Sequence, residues 1–279
     1  GRLFDAVLDI LVRAGLLEEK NGEFEVSDRL LDDGRAERLQ DLAGAEDGLV
    51  ASAPWLTPFM AITRRCLESY GRVLSGKVSA LELLFPGGSS ELVAPLYKGN
   101  PIADHCNGLV VSAIIEMARN KQPLTIAEVG AGTGGTAVAI MQALTDAGLE
   151  FRYLFTDVSA TLVRQAKSQL RQRFPQAEFA MLDLEKPVDP ARSQTFDVVV
   201  AANVLHATQD ISTTVSHCHG LLRDSGSLVL NEAVLRRDFS TLVFGLTDGW
   251  WRFQDAEKRL PHSPLLDETR WRALLAGGF

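Results

Sequence analysis

The chain has 279 residues, of which 46% are hydrophobic, so it can bury the core of one large domain or of two modest ones. Its 28 basic and 36 acidic side chains give a net charge of −8 at pH 7, which lacks the positive excess that a general nucleic-acid-binding protein needs. Three widely spaced cysteines predict neither a disulfide framework nor a zinc cluster and favour a reducing, cytoplasmic setting, while no apolar run of membrane-spanning length and no signal peptide is found.

The first 30 residues predict a helix followed by a hairpin. Apolar residues from Leu3 to Leu11 recur at helical spacing, Gly15 marks the helix end, and Asn21-Gly22 is typical of a tight hairpin turn. A helix with a hairpin wing could read DNA, but this hairpin carries four glutamates against one lysine, so phosphates would repel it. We expect it to pack on the protein or to act as part of a lid.

Residues 32–120 are predicted to be mainly helical, interrupted by the stretches SAPWLTPF and FPGGSS. From Pro123 the pattern changes to strands that alternate with helices. We therefore predict two domains: a mainly helical lid and substrate domain over residues 1–120, and an α/β domain over residues 121–279.

The α/β domain opens with the stretch LTIAEVGAGTGGTAVAI. Residues Leu124–Val129 predict a buried strand, and residues Thr136–Ala147 predict a helix that Gly148 ends. A strand, a glycine-rich turn and a helix in this order begin a doubly wound α/β fold, in which the turn holds a ligand.

The turn's composition separates the candidate ligands. A phosphate-binding Walker loop is excluded because no lysine follows the glycines, whereas Gly130, Gly132 and Gly135 do fit the dinucleotide fingerprint. Glu128 favours a different ligand, because a carboxylate there would repel a pyrophosphate but suits an ammonium group. With Gly134 the stretch reads E-x-G-x-G-x-G, which resembles the first motif of class I S-adenosylmethionine-dependent methyltransferases. A tight turn with no ligand is the remaining alternative.

Further strands and helices alternate to the end of the domain. The sequence predicts a mostly parallel, doubly wound Rossmann-like sheet with helices on both faces. The predicted strands after the first are FRYLFTD, EFAML, FDVVVAA and SLVLNEA, and the predicted helices are ATLVRQAKSQLRQRF and ISTTVSHCHGLL.

Polar residues directly after these strands are the next candidates, because ligands bind at the carboxyl ends of parallel strands. Asp157 could accept hydrogen bonds from ribose hydroxyls, or it could cap the next helix, a role for which Ser159 competes. Asp183 could accept from the amine of an adenine with Leu184 against the ring, or it could be a solvated loop residue. Asn203 lies where the methionine part of such a ligand would end.

Two ionisable residues follow the fourth and fifth strands of the sheet. His206 comes a few residues after the fourth, and Glu232 stands at the end of the fifth. Because these ends are neighbours in the predicted topology, the imidazole and the carboxylate could meet at the mouth of the ligand site. The carboxylate would set the tautomer and leave the other ring nitrogen free to act as a base.

The chain from about Leu96 to Phe279 resembles the C-methyltransferase domain of modular and iterative polyketide synthases, and the likeness is weaker over the first 90 residues. The stretches that carry it are EVGAGTGGT, FTDVS, ANVLHAT, LNEAV, FGLTDGWWRFQD and SPLLDETRW.

This resemblance implies an S-adenosylmethionine-dependent enzyme that methylates the α-carbon of a β-ketoacyl chain and releases S-adenosylhomocysteine. It implies that His206 removes the α-proton, that Glu232 orients His206, and that no metal is needed because the β-ketone stabilises the enolate. It also implies a helical N-terminal lid, the Glu128, Gly130, Gly132 and Gly134 motif as part of the cofactor site, and an acyl carrier protein bearing a β-ketoacyl phosphopantetheine as partner, with neighbouring synthase domains.

The substrate side of the site is predicted from aromatic residues. Phe244, Trp250 and Trp251 could wall an acyl channel, or the tryptophans could simply pack on the sheet, and adjacent side chains diverge so that only one of them should face a cavity. Tyr97 is included in the substrate-binding set and, with Asn100, is expected to close over the cofactor. The isolated domain is expected to be monomeric.

A class I sheet normally ends with an antiparallel pair of strands. Here Asp267 can cap the helix ETRWRALLA and Gly277-Gly278 can end it, after which Phe279 is the last residue, so we expect the final hairpin to be absent from this chain.

Three other functions are left open by the residues. One is methylation of oxygen or nitrogen on a small molecule, for which His206 would serve equally well. Another is a non-catalytic scaffold domain of a synthase, and the third is an NAD-dependent enzyme, which Glu128 disfavours.

Overall fold

The computed structural model describes residues 1–31 and 35–277. The α-helices are α1 Arg2–Arg13, α2 Asp28–Leu31, α3 Arg35–Ser52, α4 Thr57–Leu74, α5 Ala80–Leu84, α6 Pro101–Asn120, α7 Gly135–Asp146, α8 Ala160–Leu170, α9 Ile211–Leu221, α10 Asp238–Val243 and α11 Glu268–Ala276. The strands are β1 Leu17–Lys20, β2 Glu23–Val26, β3 Leu124–Val129, β4 Phe151–Asp157, β5 Ala177–Met181, β6 Phe196–Ala202 and β7 Leu222–Asn231.

The start of the chain forms the predicted helix and hairpin. Helix α1 ends where Gly15 adopts a φ of 69°, which lets the N–H of the following Leu16 reach back to the carbonyl of Leu11 at 2.9 Å. The hairpin turns at Asn21 and Gly22, with φ values of 55° and 82°, as a two-residue turn between antiparallel strands requires.

Five parallel strands form the main sheet, in the order β5-β4-β3-β6-β7. Strand β3 lies at the centre, with β4 on one side and β6 on the other, so the order of strands reverses at β3. The crevice outside the carboxyl ends of β3, β4 and β6 is therefore where a doubly wound fold binds its ligand. The predicted α/β fold class is confirmed.

Each face of the sheet buries its own apolar cluster. Helices α6, α7 and α8 pack on one face around Ile126, Ile140 and Phe155, all of which are fully buried. Helices α9 and α11 cover the other face. Because side chains alternate along a strand, residue 128 shares a face with Ile126, and Val129 shares the opposite face with Ala127.

A third apolar cluster lies in the helical region. Ile62, Cys66 and Leu84 belong to it, but so do Val243 and Leu246 from the later half of the chain. In addition, helix α6 lies within the predicted lid yet packs against the sheet. The boundary that the sequence predicts at residue 120 therefore divides elements that share a core, and the division into 1–120 and 121–279 stays a prediction.

Most predicted elements of the α/β region have the expected bounds. Strands β3, β4 and β6 begin and end where the sequence predicts, and Asp267 caps α11 by accepting a hydrogen bond from the N–H of Arg270 at 2.8 Å. Gly278 and Phe279 lie outside the described residues. Among the described helices, none combines the length and apolarity needed to cross a membrane.

Candidate active site

The glycine turn between β3 and α7 depends on three left-handed glycines. Gly130, Gly132 and Gly134 have φ values of 60°, 55° and 76°, a backbone region in which residues with a side chain are strained. A Cβ at Gly130 would lie 2.8 Å from Val204 Cβ, so the turn packs directly on the loop after β6. A Cβ at Gly132 would meet nothing closer than the Gly130 oxygen at 3.9 Å, so the turn has open space there.

Glu128, two residues before the first glycine of this turn, is buried. Only 1% of the residue is exposed, and Tyr153 donates a hydrogen bond to its Oε2 at 2.7 Å. Burial raises the pKa of the carboxyl to about 8; the Tyr153 hydrogen bond opposes this rise and the nearby charge of Asp157 adds to it. Its position differs from the expected one, in which an ionised carboxylate faces the ammonium group of a ligand.

Asp157 ties the end of β4 to the glycine turn. Its Oδ2 accepts a hydrogen bond from the Gly132 N–H at 3.0 Å, and its Oδ1 accepts from the Ser159 N–H at 2.8 Å. The helix cap is Ser159, whose hydroxyl accepts from the N–H of Leu162 at the start of α8. Asp157 is therefore not needed as a cap, and each of its oxygens can accept a further hydrogen bond.

Asp183 and Leu184 follow β5, next to Asp157. Asp183 is the more exposed of the two, and its carboxylate accepts from the Glu185 N–H at 3.0 Å and lies 3.2 Å from Lys186 Nζ. Leu184 is 8% exposed and packs in the cluster under α9. Both residues line a cavity of about 220 Å³ at the end of β5, whose lining also includes Met181 and His217.

Asn203 joins the ends of β6 and β7. Its φ is 52°, an uncommon value for a residue other than glycine, and its side-chain oxygen accepts a hydrogen bond from the Ala233 N–H at 3.1 Å. Its own N–H donates to the Asn231 carbonyl at 2.8 Å. These bonds set the direction of the chain as it leaves β6 and enters the turn that carries His206.

His206 and Glu232 are in direct contact. His206 Nδ1 lies 2.6 Å from Glu232 Oε2, and the two side chains are 10% and 3% exposed. The other carboxylate oxygen, Oε1, accepts from the N–H groups of Val204 at 2.9 Å and Leu205 at 2.8 Å. Glu232 therefore binds both the imidazole and the backbone that carries it.

This network sets the protonation of the ring. A carboxylate can only accept, so we assign the proton of the neutral imidazole to Nδ1. The lone pair is then on Nε2, the nitrogen that faces away from Glu232. An imidazole held in this way can take a proton from a neighbouring acidic group and share the resulting positive charge with the carboxylate.

Aromatic rings surround the imidazole. Trp250, which is 9% exposed, presents its ring edge-on to His206 with a centroid distance of 5.7 Å, and Phe244 stacks on Trp250 at 6.0 Å. Trp251 points elsewhere, because its Nε1 donates to the Gly245 carbonyl at 2.7 Å. The two adjacent tryptophans diverge, as the sequence predicts, and Trp250 is the one next to His206.

Tyr97 connects the glycine turn to Glu232. Its carbonyl oxygen would lie 3.3 Å from a Cβ at Gly135, and it accepts a hydrogen bond from Asn107 at 3.1 Å. Although 36% of the residue is exposed, burial raises the pKa of its phenol to about 12, and the negative charge of Glu232 contributes to the rise. Asn100, close by, caps α6 by accepting from the Ala103 N–H at 3.0 Å.

The sequence reading overlooked two residues that shape this site. Tyr153 donates to Glu128 from the middle of β4, and Arg259 donates to the carbonyl of His206 at 2.9 Å. A tyrosine within an otherwise apolar strand was a usable signal for the first. Arg259 follows Asp255 at helical spacing, which indicates a pair, but nothing in the sequence connects Arg259 or Asp255 with His206.

Comparison with known proteins agrees with this geometry. A family model described as a methyltransferase domain matches residues 127–228. The crystal structure of the DszA carbon methyltransferase is similar over 100% of this chain and 72% of its own, with a TM-score of 0.89 and 37% identity. The CurJ carbon methyltransferase is similar over 99% of this chain and 72% of its own, with a TM-score of 0.85 and 32% identity.

Polyketide synthases are among the curated proteins that this chain matches. ThaQ from Burkholderia thailandensis is 32% identical over 100% of this chain, which spans 14% of that protein. The chain spans 5% to 14% of the first three synthases that it matches. The similarity is therefore to one part of much longer proteins.

Proposed function

The chain belongs to the carbon-methyltransferase domains of polyketide synthases, and we propose that it methylates the α-carbon of a β-ketoacyl chain held on an acyl carrier protein. S-adenosylmethionine is its methyl donor. We propose the acyl substrate, the carrier protein and the roles of individual residues.

The residues at the strand ends fit the cofactor. The left-handed glycine turn leaves open space above Gly132, and Asp157, fixed by two backbone N–H groups, can accept from ribose hydroxyls. We assign Asp183 and Leu184 to the adenine end and Asn203 to the methionine end of the ligand. We do not extend this assignment to Glu128, which is buried against Tyr153. When bound, the cofactor supplies an electrophilic methyl carbon on a positively charged sulfur.

His206 is the proposed general base. Its Nε2 accepts the α-proton of the β-ketoacyl chain, and the electron pair of the broken C–H bond is delocalised onto the ketone oxygen as an enolate. Glu232 stabilises the imidazolium that forms, because its carboxylate lies 2.6 Å from Nδ1 in a nearly closed environment. The enolate carbon would then take up the methyl group that the bound cofactor supplies, the electron pair of the broken carbon–sulfur bond would stay on sulfur as S-adenosylhomocysteine leaves, and the His206 proton would be lost to solvent.

One observation carries this proposal: both oxygens of the Glu232 carboxylate form hydrogen bonds with His206 or with the backbone directly before it. A histidine retained only for packing needs no such arrangement, in which one oxygen binds the ring and the other binds the two N–H groups that precede it. The carboxylate thus fixes both the tautomer and the orientation of the base. Positioning of this kind commonly accounts for most of the rate of methyl transfer between bound groups.

The aromatic residues define the proposed acyl side. Trp250 and Phe244 stack beside His206, so a chain whose α-carbon reaches Nε2 would pass over their rings. We propose that Tyr97, from the segment before α6, closes the opposite side of the crevice, because its carbonyl packs against Gly135 at the glycine turn. We propose that residues 1–120 act as a lid over this channel and that Trp251, turned to the Gly245 carbonyl, supports its wall.

The test is methyl transfer to a β-ketoacyl thioester on phosphopantetheine or on a carrier protein. We expect His206→Ala to lower the rate by about two to four orders of magnitude while cofactor affinity, measured by calorimetry, stays near that of the parent. Asp157→Ala should weaken cofactor binding. His105→Ala, at an exposed position on α6, is the matched control and should retain the parent rate.

Mass spectrometry of the product locates the new methyl group. A methyl on oxygen or nitrogen would replace the carbon assignment, and cofactor binding without turnover on any acyl substrate would indicate a scaffold domain. A His206→Ala rate within a few-fold of the parent would show that another group is the base.

A further inference from the structure

A buried arginine holds the His206 turn from the side opposite Glu232. The Arg259 side chain is 0% exposed and pairs with Asp255, whose side chain is 3% exposed. Both lie in the segment between Trp250 and α11. Burying a charged pair is costly unless each polar atom finds a partner, so the hydrogen bonds around this pair show what it is built to hold.

All five N–H donors of the Arg259 guanidinium are used. Nε and Nη2 donate to Asp255 at 2.8 and 3.2 Å. Nη1 donates to the carbonyls of His206 at 2.9 Å and Pro264 at 2.7 Å, and Nη2 donates to the carbonyl of Thr208 at 3.1 Å. An arginine has five donors in a planar fork, and here each one binds a separate acceptor atom or lone pair.

The turn that carries His206 is therefore held at both ends. Glu232 accepts from two N–H groups at its start, and Arg259 donates to two carbonyls at its end. Between these points the imidazole has one ring nitrogen on Glu232. Without the hydrogen bonds from Arg259 to these two carbonyls, the turn could rotate about its remaining contacts, and the direction of His206 Nε2 would change.

We propose that Arg259 is a positioning residue for methyl transfer: it acts through the backbone of His206 and touches neither the cofactor nor the acyl chain. Lysine cannot replace it, because an ammonium group has three donors and no planar fork. The proposal rests on the assignment of His206 as the base.

A purely structural role has to be separated from this one. Asp255 also accepts from the Ile211 N–H at 2.8 Å, so the pair helps to hold the start of α9. Variants at Arg259 must therefore be read by measurements that loss of stability alone would not change. Three such measurements are the split between turnover and cofactor affinity, local hydrogen exchange in the turn, and rescue by an added guanidinium ion.

Two variants and one matched control make the experiment. Arg259→Lys keeps the charge, and Arg259→Ala leaves a space that a guanidinium ion can enter. The control is Arg272→Met, because Arg272 also pairs with a carboxylate four residues away, that of Glu268 on α11, but this pair is exposed. The Arg272 side chain is 77% exposed and donates its hydrogen bonds to Glu268, so Arg272→Met should stay within about twofold of the parent rate.

We expect kcat of Arg259→Lys on a β-ketoacyl thioester to fall by roughly tenfold to a hundredfold, with the affinity for S-adenosylhomocysteine unchanged. Amide exchange of peptides that cover residues 203–209 should become about tenfold faster or more, while exchange in β3 and β4 stays the same. Millimolar guanidinium should raise the rate of Arg259→Ala and not that of the parent.

Several outcomes would overturn the proposal. One is an Arg259→Lys rate within twofold of the parent rate, and another is a loss of rate that parallels a loss of cofactor affinity. A third is a variant that no longer binds the cofactor, because the proposal requires the strand ends to fold without Arg259. The parent enzyme is assayed first. If it transfers no methyl group, the proposed function fails; if it does and the variants match it, only the role of Arg259 fails.

Discussion

Two glycines of the same turn should respond to the same substitution with different losses of stability and of activity. Gly130 and Gly132 both have positive φ values, 60° and 55°, and an alanine is strained at either position by roughly 1–2 kcal/mol. Their surroundings differ. A Cβ at Gly130 meets Val204, whereas a Cβ at Gly132 has only the Gly130 oxygen at 3.9 Å.

The magnitude follows from the contact distances. The added methyl group in Gly130→Ala would lie 2.8 Å from Val204 Cβ and closer still to Cγ2, against a normal carbon–carbon separation of about 3.5–4.0 Å. Relief of this overlap should cost a further 1–3 kcal/mol or so, as in other overpacked sites. We therefore expect Gly130→Ala to lower the free energy of unfolding by roughly 2–5 kcal/mol and Gly132→Ala by roughly 1–2 kcal/mol.

The two variants should also fail differently in catalysis. Val204 donates its N–H to Glu232 at 2.9 Å, so its displacement in Gly130→Ala disturbs the carboxylate that orients His206, and kcat falls. In Gly132→Ala the methyl group enters the open space above the turn, so cofactor affinity falls. High cofactor concentration should then restore the rate of Gly132→Ala but not that of Gly130→Ala.

Urea unfolding and steady-state kinetics measure these effects, and Val204→Ala provides the internal check. It removes both Cγ atoms and leaves the 2.8 Å contact with Cβ, so it should partly restore Gly130→Ala and should leave Gly132→Ala no better. Equal stabilities of the two glycine variants, or identical effects of Val204→Ala on both, would falsify the proposed link between the cofactor turn and the His206 turn.

Three further predictions concern stability. Burial alone would raise the pKa of Asp197, but hydrogen bonds, first of all from Lys121, lower it to about 2 from 3.8. The charged carboxylate therefore adds about 2 kcal/mol to the unfolding free energy above pH 3.8, and this contribution is lost as the pH falls through 2. Asp197→Asn should lack this contribution at every pH in unfolding experiments. The pKa of Glu128 is instead raised to about 8, so the folded state holds a proton that the unfolded chain releases near pH 4.5. The unfolding free energy of the parent, measured by urea titration, should therefore decline from pH 5 to pH 8, and Glu128→Gln should remove this dependence on pH. Tyr70 donates its hydroxyl hydrogen bond across the helical region to the Leu242 carbonyl at 3.0 Å, and Tyr70→Phe should lower the unfolding free energy by about 1 kcal/mol without changing cofactor affinity.

The strands of the sheet could be predicted because their signals are local. Buried runs such as Leu124–Val129 end at a glycine or an aspartate, and the structure keeps those bounds. Strand β7 begins at Leu222 and not at Ser227 as predicted. The prediction started the strand too late because Arg223, Asp224 and Gly226 are residue types typical of a loop. Pairing of Leu222 with Phe196 extends the strand across an irregularity in register that no local pattern reveals.

The contacts that organise the site were beyond local patterns. The packing of Gly130 on Val204 joins residues on different strand ends, and the bond from Arg259 to the His206 carbonyl spans 53 residues. The sequence placed Glu128 correctly on β3, but the hydrogen bond of its side chain with Tyr153 was not predicted. Strand alternation with Ile126 puts that side chain on the face covered by α6 and α7, where Tyr153 can reach it.

Strand order explains why the proposed base and the proposed cofactor residues can meet. Asp157 leaves β4 and His206 leaves the loop after β6, so the two lie on either side of β3, about 10 Å apart if adjacent strands are separated by about 4.8 Å. A ligand that contacts both must extend across the glycine turn between them. Glu232 comes from β7, one strand further out, and reaches back to β6 through the N–H groups of the turn. The side chain that contacts the imidazole directly, Glu232, is not among the proposed cofactor residues, and for that reason we expect loss of the imidazole to reduce turnover while leaving cofactor affinity in place.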